Sequence, residues 1–187
     1  TDEDFKAFQP EILVTFGGMI VSKKLKAFLR KYKPKQHWHI DELRAYNTFD
    51  SLTQHFEVSP NTFFKEFLTK TNSPESNYQN DALQIKNHRA IKHTEYLNSI
   101  EFSDLKVFEK LLSKLPGNSQ LQISNSSPIR YAQLFPIDKT ISVFCNRGTS
   151  GIDGSTSTAI GASLMNKEQT ILITGDISFL YDSNALW

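Results

Sequence analysis

Apolar residues along the chain fall into short runs closed by glycine, proline or polar clusters, and their spacing changes from run to run. Residues 12–16 form the run ILVTF, followed at once by Gly17 and Gly18. A short apolar run ending in a glycine turn predicts a buried strand. Over 21–32, Val21, Leu25, Phe28 and Leu29 recur at helical spacing while Lys23, Lys24, Lys26, Arg30 and Lys31 occupy the other faces, the pattern of an amphipathic helix. Pro34 stops that helix, and 36–40 return as a second strand ending at Asp41. The opening stretch therefore reads as one βαβ unit, which is right-handed by the general rule for such crossovers.

From Pro60, the positions of Phe63, Phe64, Phe67 and Leu68 predict a further helix, and the polar cluster 69–80 that follows reads as an exposed connection between two structural units. Residues 81–98 are charged and moderately helical, a linking helix. A cleaner helix follows Ser103, its N-cap, with Leu105, Val107, Phe108, Leu111, Leu112 and Leu115 on its buried face and Gly117 just past its end. The last third predicts strands at 121–124, 140–144 and 170–174 and a small-residue helix at 156–164. Strands alternating with helices predict an α/β fold built on parallel sheet.

Composition narrows the function. Twenty-one Lys+Arg against 20 Asp+Glu give a formal net charge of +1, so no global field attracts nucleic acid or an anionic membrane. At 39% hydrophobic with 14 Phe, the chain has enough apolar material for a core and too much for a disordered tail. A single cysteine, Cys145, excludes an intramolecular disulfide framework and a thiolate zinc cluster and fits a reducing compartment, so a cytoplasmic location is expected. The acidic start TDEDFKAF is no signal peptide, and no run approaches the roughly 18 apolar residues of a membrane span.

Polar or glycine residues directly after predicted strands mark the carboxyl edge of a parallel sheet, where such folds place ligands. Three segments qualify: Ser124-Asn125-Ser126-Ser127 running on to Arg130, the loop NRGTSGIDG at 146–154, and Gly175-Asp176-Ile177-Ser178. Asp176 either caps a following helix or holds a hard cation beside a phosphate. The three glycines of 148–154, interrupted by Ser150 and Asp153, make either an ordinary turn or a loop whose backbone approaches a ligand closely. His37 and His39 share a strand face, but two histidines without a third ligand favour a structural role. Cys145, with no histidine near in sequence, reads as a buried inert thiol.

In this order and spacing, Ser124-Asn125-Ser126 with Arg130, NRGTSGIDG, and TGDISFLYDSNALW resemble the thiamine-diphosphate-dependent synthases of menaquinone biosynthesis, the transferases that make 2-succinyl-5-enolpyruvyl-6-hydroxy-3-cyclohexene-1-carboxylate. The nine-residue loop is distinctive for that family, whereas Gly-Asp is shared by thiamine-diphosphate enzymes in general. The resemblance implies an α/β chain made of the end of a Rossmann-like middle domain (1–75), a linking segment (76–98), and the first half of a parallel-sheet diphosphate-binding domain (99–187). It implies thiamine diphosphate and Mg²⁺ or Mn²⁺ as cofactors, 2-oxoglutarate and isochorismate as substrates, and a homodimer or homotetramer.

Residue by residue, the resemblance implies that Asp176 is the metal ligand, with Ile177 standing where most thiamine-diphosphate enzymes carry glycine. Asn125, Ser126, Gly175 and Ser178 match positions around the cofactor, and Ile152 matches the bulky aliphatic that supports its bent conformation. Arg130 and Arg147 match arginines assigned to substrate carboxylates, for which a guanidinium fork is well shaped. Lys23 and Lys24 match a basic pair directed at the active site; otherwise they belong to a solvated helix face with Lys26, Arg30, Lys31, Lys33 and Lys35. The family's catalytic glutamate and a second metal ligand, an asparagine, are expected outside these residues. The chain is then a fragment, inactive alone, with unpaired sheet edges and exposed apolar surface that favour self-association. Two rivals share some of these features: an acetolactate synthase or 2-oxo acid decarboxylase, through Gly175-Asp176, and a non-catalytic dinucleotide-binding module, through the βαβ unit and Asp41. GGMIVS lacks the G-x-G-x-x-G spacing of the latter.

Overall fold

The computed structural model describes residues 2–187 and divides into two compact units, Thr1–Ile91 and Lys92–Trp187. The division falls inside a long helix, α4 (Tyr78–Ser99).

In the first unit, helix α1 (Asp2–Ala7) precedes strand β1 (Ile12–Phe16), helix α2 (Lys23–Lys31), strands β2 (Gln36–Ile40) and β3 (Leu52–Phe56), and helix α3 (Pro60–Lys70). The strands form one parallel sheet in the order β1-β2-β3. Gly17 takes φ +72, a conformation only glycine adopts without strain, and so turns the chain from β1 toward α2. Ser22 caps α2 by accepting from the Leu25 N–H at 3.2 Å. Strand β2, central in the sheet, places Trp38 against Phe56 and Phe67, and Phe63 of α3 meets both phenylalanines at centroid distances of 4.8 and 5.4 Å. Leu68, expected on the helical face with these aromatics, is exposed.

The opposite face of β2 carries His37 and His39. Both rings meet the Thr15 hydroxyl, His37 through Nε2 and His39 through Nδ1, each at 2.8 Å. A hydroxyl donates only once. Were His37 Nε2 the acceptor, its buried and unpartnered Nδ1 would have to carry the proton. The arrangement that avoids this is His37 Nε2–H donating to Thr15, and Thr15 donating to His39 Nδ1. Burial, then the neighbouring His39, lowers the His37 pKa, and burial is also the main cause lowering that of His39. Among the described residues no cluster of three or more His, Cys, Asp or Glu is arranged to hold a metal.

The apolar pattern does not predict strand β3. Thr53, Gln54 and His55 interrupt its apolar character, yet Thr53 Oγ1 both accepts from the His37 N–H and donates to the His37 carbonyl at 3.0 Å. These side-chain bonds hold β3 where the ladder register shifts beside His37 and Trp38.

The second unit contains α5 (Asp104–Leu112), β4 (Gln120–Ile123), α6 (Ser127–Ala132), β5 (Ser142–Cys145), α7 (Ser155–Met165), β6 (Thr170–Ile173), α8 (Asp176–Tyr181) and a 3-10 turn at Ser183–Leu186. Its parallel sheet has the order β5-β4-β6. Leu121 and Ile123 of β4 are buried with Phe108 and Leu112 of α5, Ala132 of α6 and Ile141 to form the core. Helix α5 ends earlier than the sequence pattern predicts. Ser103 sits at its N-cap without a side-chain hydrogen bond. Only Phe108 and Leu112, one turn apart, are fully buried, whereas Val107 and Leu111 lie on an adjacent exposed stripe with Phe102, Lys106 and Lys110 around an open cleft of about 470 Å³. No helix among the described residues is long and apolar enough to cross a membrane.

Candidate functional site at the carboxyl edge of the second sheet

Strands β5, β4 and β6 are parallel and in register, with Cys145 and Ile173 both opposite Ile123. The segments leaving their carboxyl ends are therefore neighbours. The chain leaves β4 toward β5 on one side and returns to add β6 on the other, so the edge between β4 and β6 is a topological switch point, where open α/β sheets bind ligands.

Ser124 joins two of these segments: its N–H donates to the Ile173 carbonyl at 2.9 Å and its Oγ accepts from the Gly175 N–H at 3.2 Å. Asn125, 2% exposed, joins the third. Its Nδ2 donates to the carbonyls of Asn146 and Gly151, the latter at 2.6 Å, and its Oδ1 accepts from Arg147 Nη1 at 2.8 Å. Asn146 continues the lattice, donating to the Gly154 carbonyl at 3.1 Å and to Thr158 Oγ1 at 2.9 Å. Ser178, also buried, donates to the Ile152 carbonyl at 2.5 Å. The loop 146–154 is thus tied to the segment after β4 and to α8.

Within this frame, Asp176 opens α8 with an exposed side chain, and its Oδ1 accepts from the Ile177 N–H at 2.8 Å. Gly175 beside it has open space where a Cβ would stand. Ser126 is exposed, at φ +73 and ψ −128, a backbone conformation that costs a residue with a side chain on the order of 1–3 kcal/mol. Arg130 lies on α6 with its side chain exposed. Arg147 is held by Asn125, and its Nε is buried without an acceptor. Such an orphaned charged donor is costly until an acceptor arrives. Gly154, the N-cap of α7, takes φ +79, which any residue with a Cβ would resist.

Burial is the main cause raising the Cys145 thiol pKa, partly offset by the Arg147 charge, and the thiol points to Asn125 Oδ1 at 3.7 Å. A proton held more tightly than usual does not suit a nucleophile. Asp182 carries no local signal in the sequence. It is buried, and its carboxylate accepts from the Ser157 N–H at 2.7 Å and from the Ser157 hydroxyl at 2.7 and 2.8 Å, capping a helix whose own N-cap residue offers no side chain. The partners lie 25 residues apart, so no local signal could have paired them.

An exposed carboxylate beside open glycine backbone, with a buried arginine donor lacking an acceptor on the same edge, is a donor set that fits an anionic group accompanied by a divalent cation. Lys23 and Lys24, at the start of α2, belong to the first unit, and both are exposed.

Residues 5–123 match the family described as the middle domain of thiamine pyrophosphate. The chain belongs to that family. Its matched segment includes Lys23 and Lys24 and ends with β4, so the site residues from Asn125 onward follow it in sequence. Across the whole chain, the protein is 72% identical over 187 residues to the 2-succinyl-5-enolpyruvyl-6-hydroxy-3-cyclohexene-1-carboxylate synthase of Flavobacterium psychrophilum, and 64% identical over 186 residues to that of Flavobacterium johnsoniae. The synthase of Porphyromonas gingivalis is 43% identical over 97% of the chain. The alignments cover 34%, 34% and 33% of these relatives, so the chain spans about a third of their length. The motif resemblance and the relatives' names agree.

Proposed function

We propose that the chain is part of a thiamine-diphosphate-dependent transferase of menaquinone biosynthesis that joins the succinyl unit of 2-oxoglutarate to isochorismate with release of CO₂. The observation that carries this reading is the 72% identity to a synthase of that name across every residue of the chain. The convergence of three strand-end segments on one sheet edge supports it.

In the proposed site, Asp176 would hold Mg²⁺ or Mn²⁺ and Gly175 would leave its backbone open to a diphosphate. Ser126 and Ser178 would line the cofactor site, and Ile152 would supply apolar shape there. When bound, thiamine diphosphate supplies the electron sink that makes loss of CO₂ from a 2-oxo acid feasible. The chain's own residues bind and orient. Arg147 offers its unpaired Nε and Arg130 its exposed guanidinium to substrate carboxylates, a bidentate interaction that fixes direction as well as charge. Lys23 and Lys24, on the first unit, are assigned to dianionic substrates by the family resemblance alone. We assign 1–75 to the middle domain, 76–98 to a linking segment and 99–187 to the diphosphate-binding domain of a cytoplasmic homodimer or homotetramer; the middle-domain family match runs past the first of these bounds, to 123. The catalytic glutamate is assigned to another part of the enzyme, which leaves these 187 residues inactive alone.

Product analysis on the full-length protein with thiamine diphosphate and Mg²⁺ tests the proposal. The expected result is consumption of 2-oxoglutarate that depends on isochorismate. Consumption of a 2-oxo acid that ignores isochorismate would instead favour an acetolactate synthase or decarboxylase. A dinucleotide-binding module is disfavoured by Asp41, whose Oδ1 already accepts from the N–H groups of Leu43 and Arg44 at 2.9 and 3.0 Å. Calorimetric titration with NAD and FAD should accordingly give no saturable heat.

A further inference from the structure

We infer that Asn125 is the positioning residue of the site: it clamps the 146–151 loop and presents Arg147, and does not itself bind cofactor or substrate. An asparagine side chain has two N–H donors and two acceptor lone pairs. Here all four have partners. The donors reach the carbonyls of Asn146 and Gly151, which bracket the loop, while Oδ1 receives Arg147 Nη1 and faces the Cys145 thiol. Flipping the amide would set its oxygen against two carbonyls and its NH₂ against a guanidinium, so the neighbours fix its orientation. Asn125 is 2% exposed and has no hydrogen-bonding capacity left for a ligand.

The clamp acts on chemistry through Arg147. Fixing Nη1 from behind restricts the guanidinium to one orientation, and Nε, buried without an acceptor, remains for a carboxylate. Holding both ends of the 146–151 segment also fixes the backbone from which Arg147 projects. Pre-orientation of this kind lowers the entropy lost on binding.

The geometry of the clamp stands on its own contacts, whereas its kinetic consequence rests on the proposed synthase reaction. The test uses the full-length protein as wild type, Asn125→Ala, Arg147→Ala and the double variant, with 2-oxoglutarate and isochorismate each varied. Asn125→Ala should raise KM for a carboxylate substrate by about 10- to 100-fold, with a smaller effect on kcat. In the Arg147→Ala background, the same substitution should change KM by no more than about twofold, because the two residues act through one interaction. Hydrogen exchange of the 146–151 amides should speed up in Asn125→Ala. If Asn125→Ala does not fold, Asn125→Asp, of the same shape, keeps both acceptors and loses both donors, and should still open the loop. Multiplicative losses in the double variant, or unchanged loop exchange in a folded Asn125 variant, would overturn the inference. Wild-type protein without turnover would count against the synthase reaction alone, and loop exchange would still decide the clamp.

Discussion

Asp182→Ala should measurably destabilise the second unit. Asp182 is 4% exposed, and its carboxylate accepts from the N–H and hydroxyl of Ser157; Thr156 adds a backbone N–H. Gly154 at the N-cap of α7 supplies no side chain, so Asp182 performs the capping from a distant part of the chain. Deleting an N-cap costs about 0.5–2 kcal/mol, and removing a negative charge from a partly buried helix N-terminus costs up to about 2 kcal/mol more. The expected loss is therefore about 0.5–4 kcal/mol for alanine, and about half that for Asp182→Asn, which keeps shape and an acceptor oxygen. Acid dependence gives a second readout. Burial alone would raise the Asp182 pKa, but the hydrogen bonds from Ser157 and Thr156 outweigh it and hold the carboxyl below its ordinary value. Its stabilisation is complete above the ordinary carboxylate range and disappears as pH falls through the lowered folded value. Urea unfolding followed by hydrogen exchange, which reports the second unit separately, measures both effects. A change under about 0.5 kcal/mol for Asp182→Ala, the level of an ordinary surface substitution, would refute the capping role.

Two further outcomes follow from the same physics. Because burial lowers the pKa of His37 and His39, the unfolded chain takes up protons first on acidification; stability of the first unit should be complete above about pH 6.5 and fall as pH drops below it. His37→Gln should flatten that slope in pH-dependent denaturation, and an unchanged slope would contradict the assignment. Ser126→Gly should stabilise the second unit by about 1 kcal/mol through relief of the positive φ, visible as a higher thermal midpoint, whereas Ser126→Ala should give no such gain.

The elements legible in the sequence were those whose burial is local and periodic. The run 12–16 with its two glycines, the amphipathic α2 and the three later strands all announce themselves because apolar spacing tracks the sheet or helix period. Strand β3 did not, because side-chain hydrogen bonds from Thr53 and ladder bonds hold it where apolar character is thin. On α5, periodicity identified the helix and overstated its buried face, since Val107 and Leu111 stay exposed. The candidate site was legible as three strand-end motifs, and their convergence follows from parallel strands in register. What remained hidden were contacts between residues distant in sequence. Asn125 read as a residue facing a ligand, and only its four partners reveal that it faces the loop. Asp182 gave no signal at all, because the helix it caps lies far upstream.

An acid at the carboxyl edge of the second sheet is proposed to anchor a divalent ion to a diphosphate. Calorimetric titration of thiamine diphosphate into full-length wild-type and Asp176→Ala protein, with and without Mg²⁺, decides this. The account predicts saturable, Mg²⁺-dependent binding to wild type that weakens by about 10-fold or more in the variant. Equal affinity in the two proteins, or binding indifferent to Mg²⁺, would contradict it.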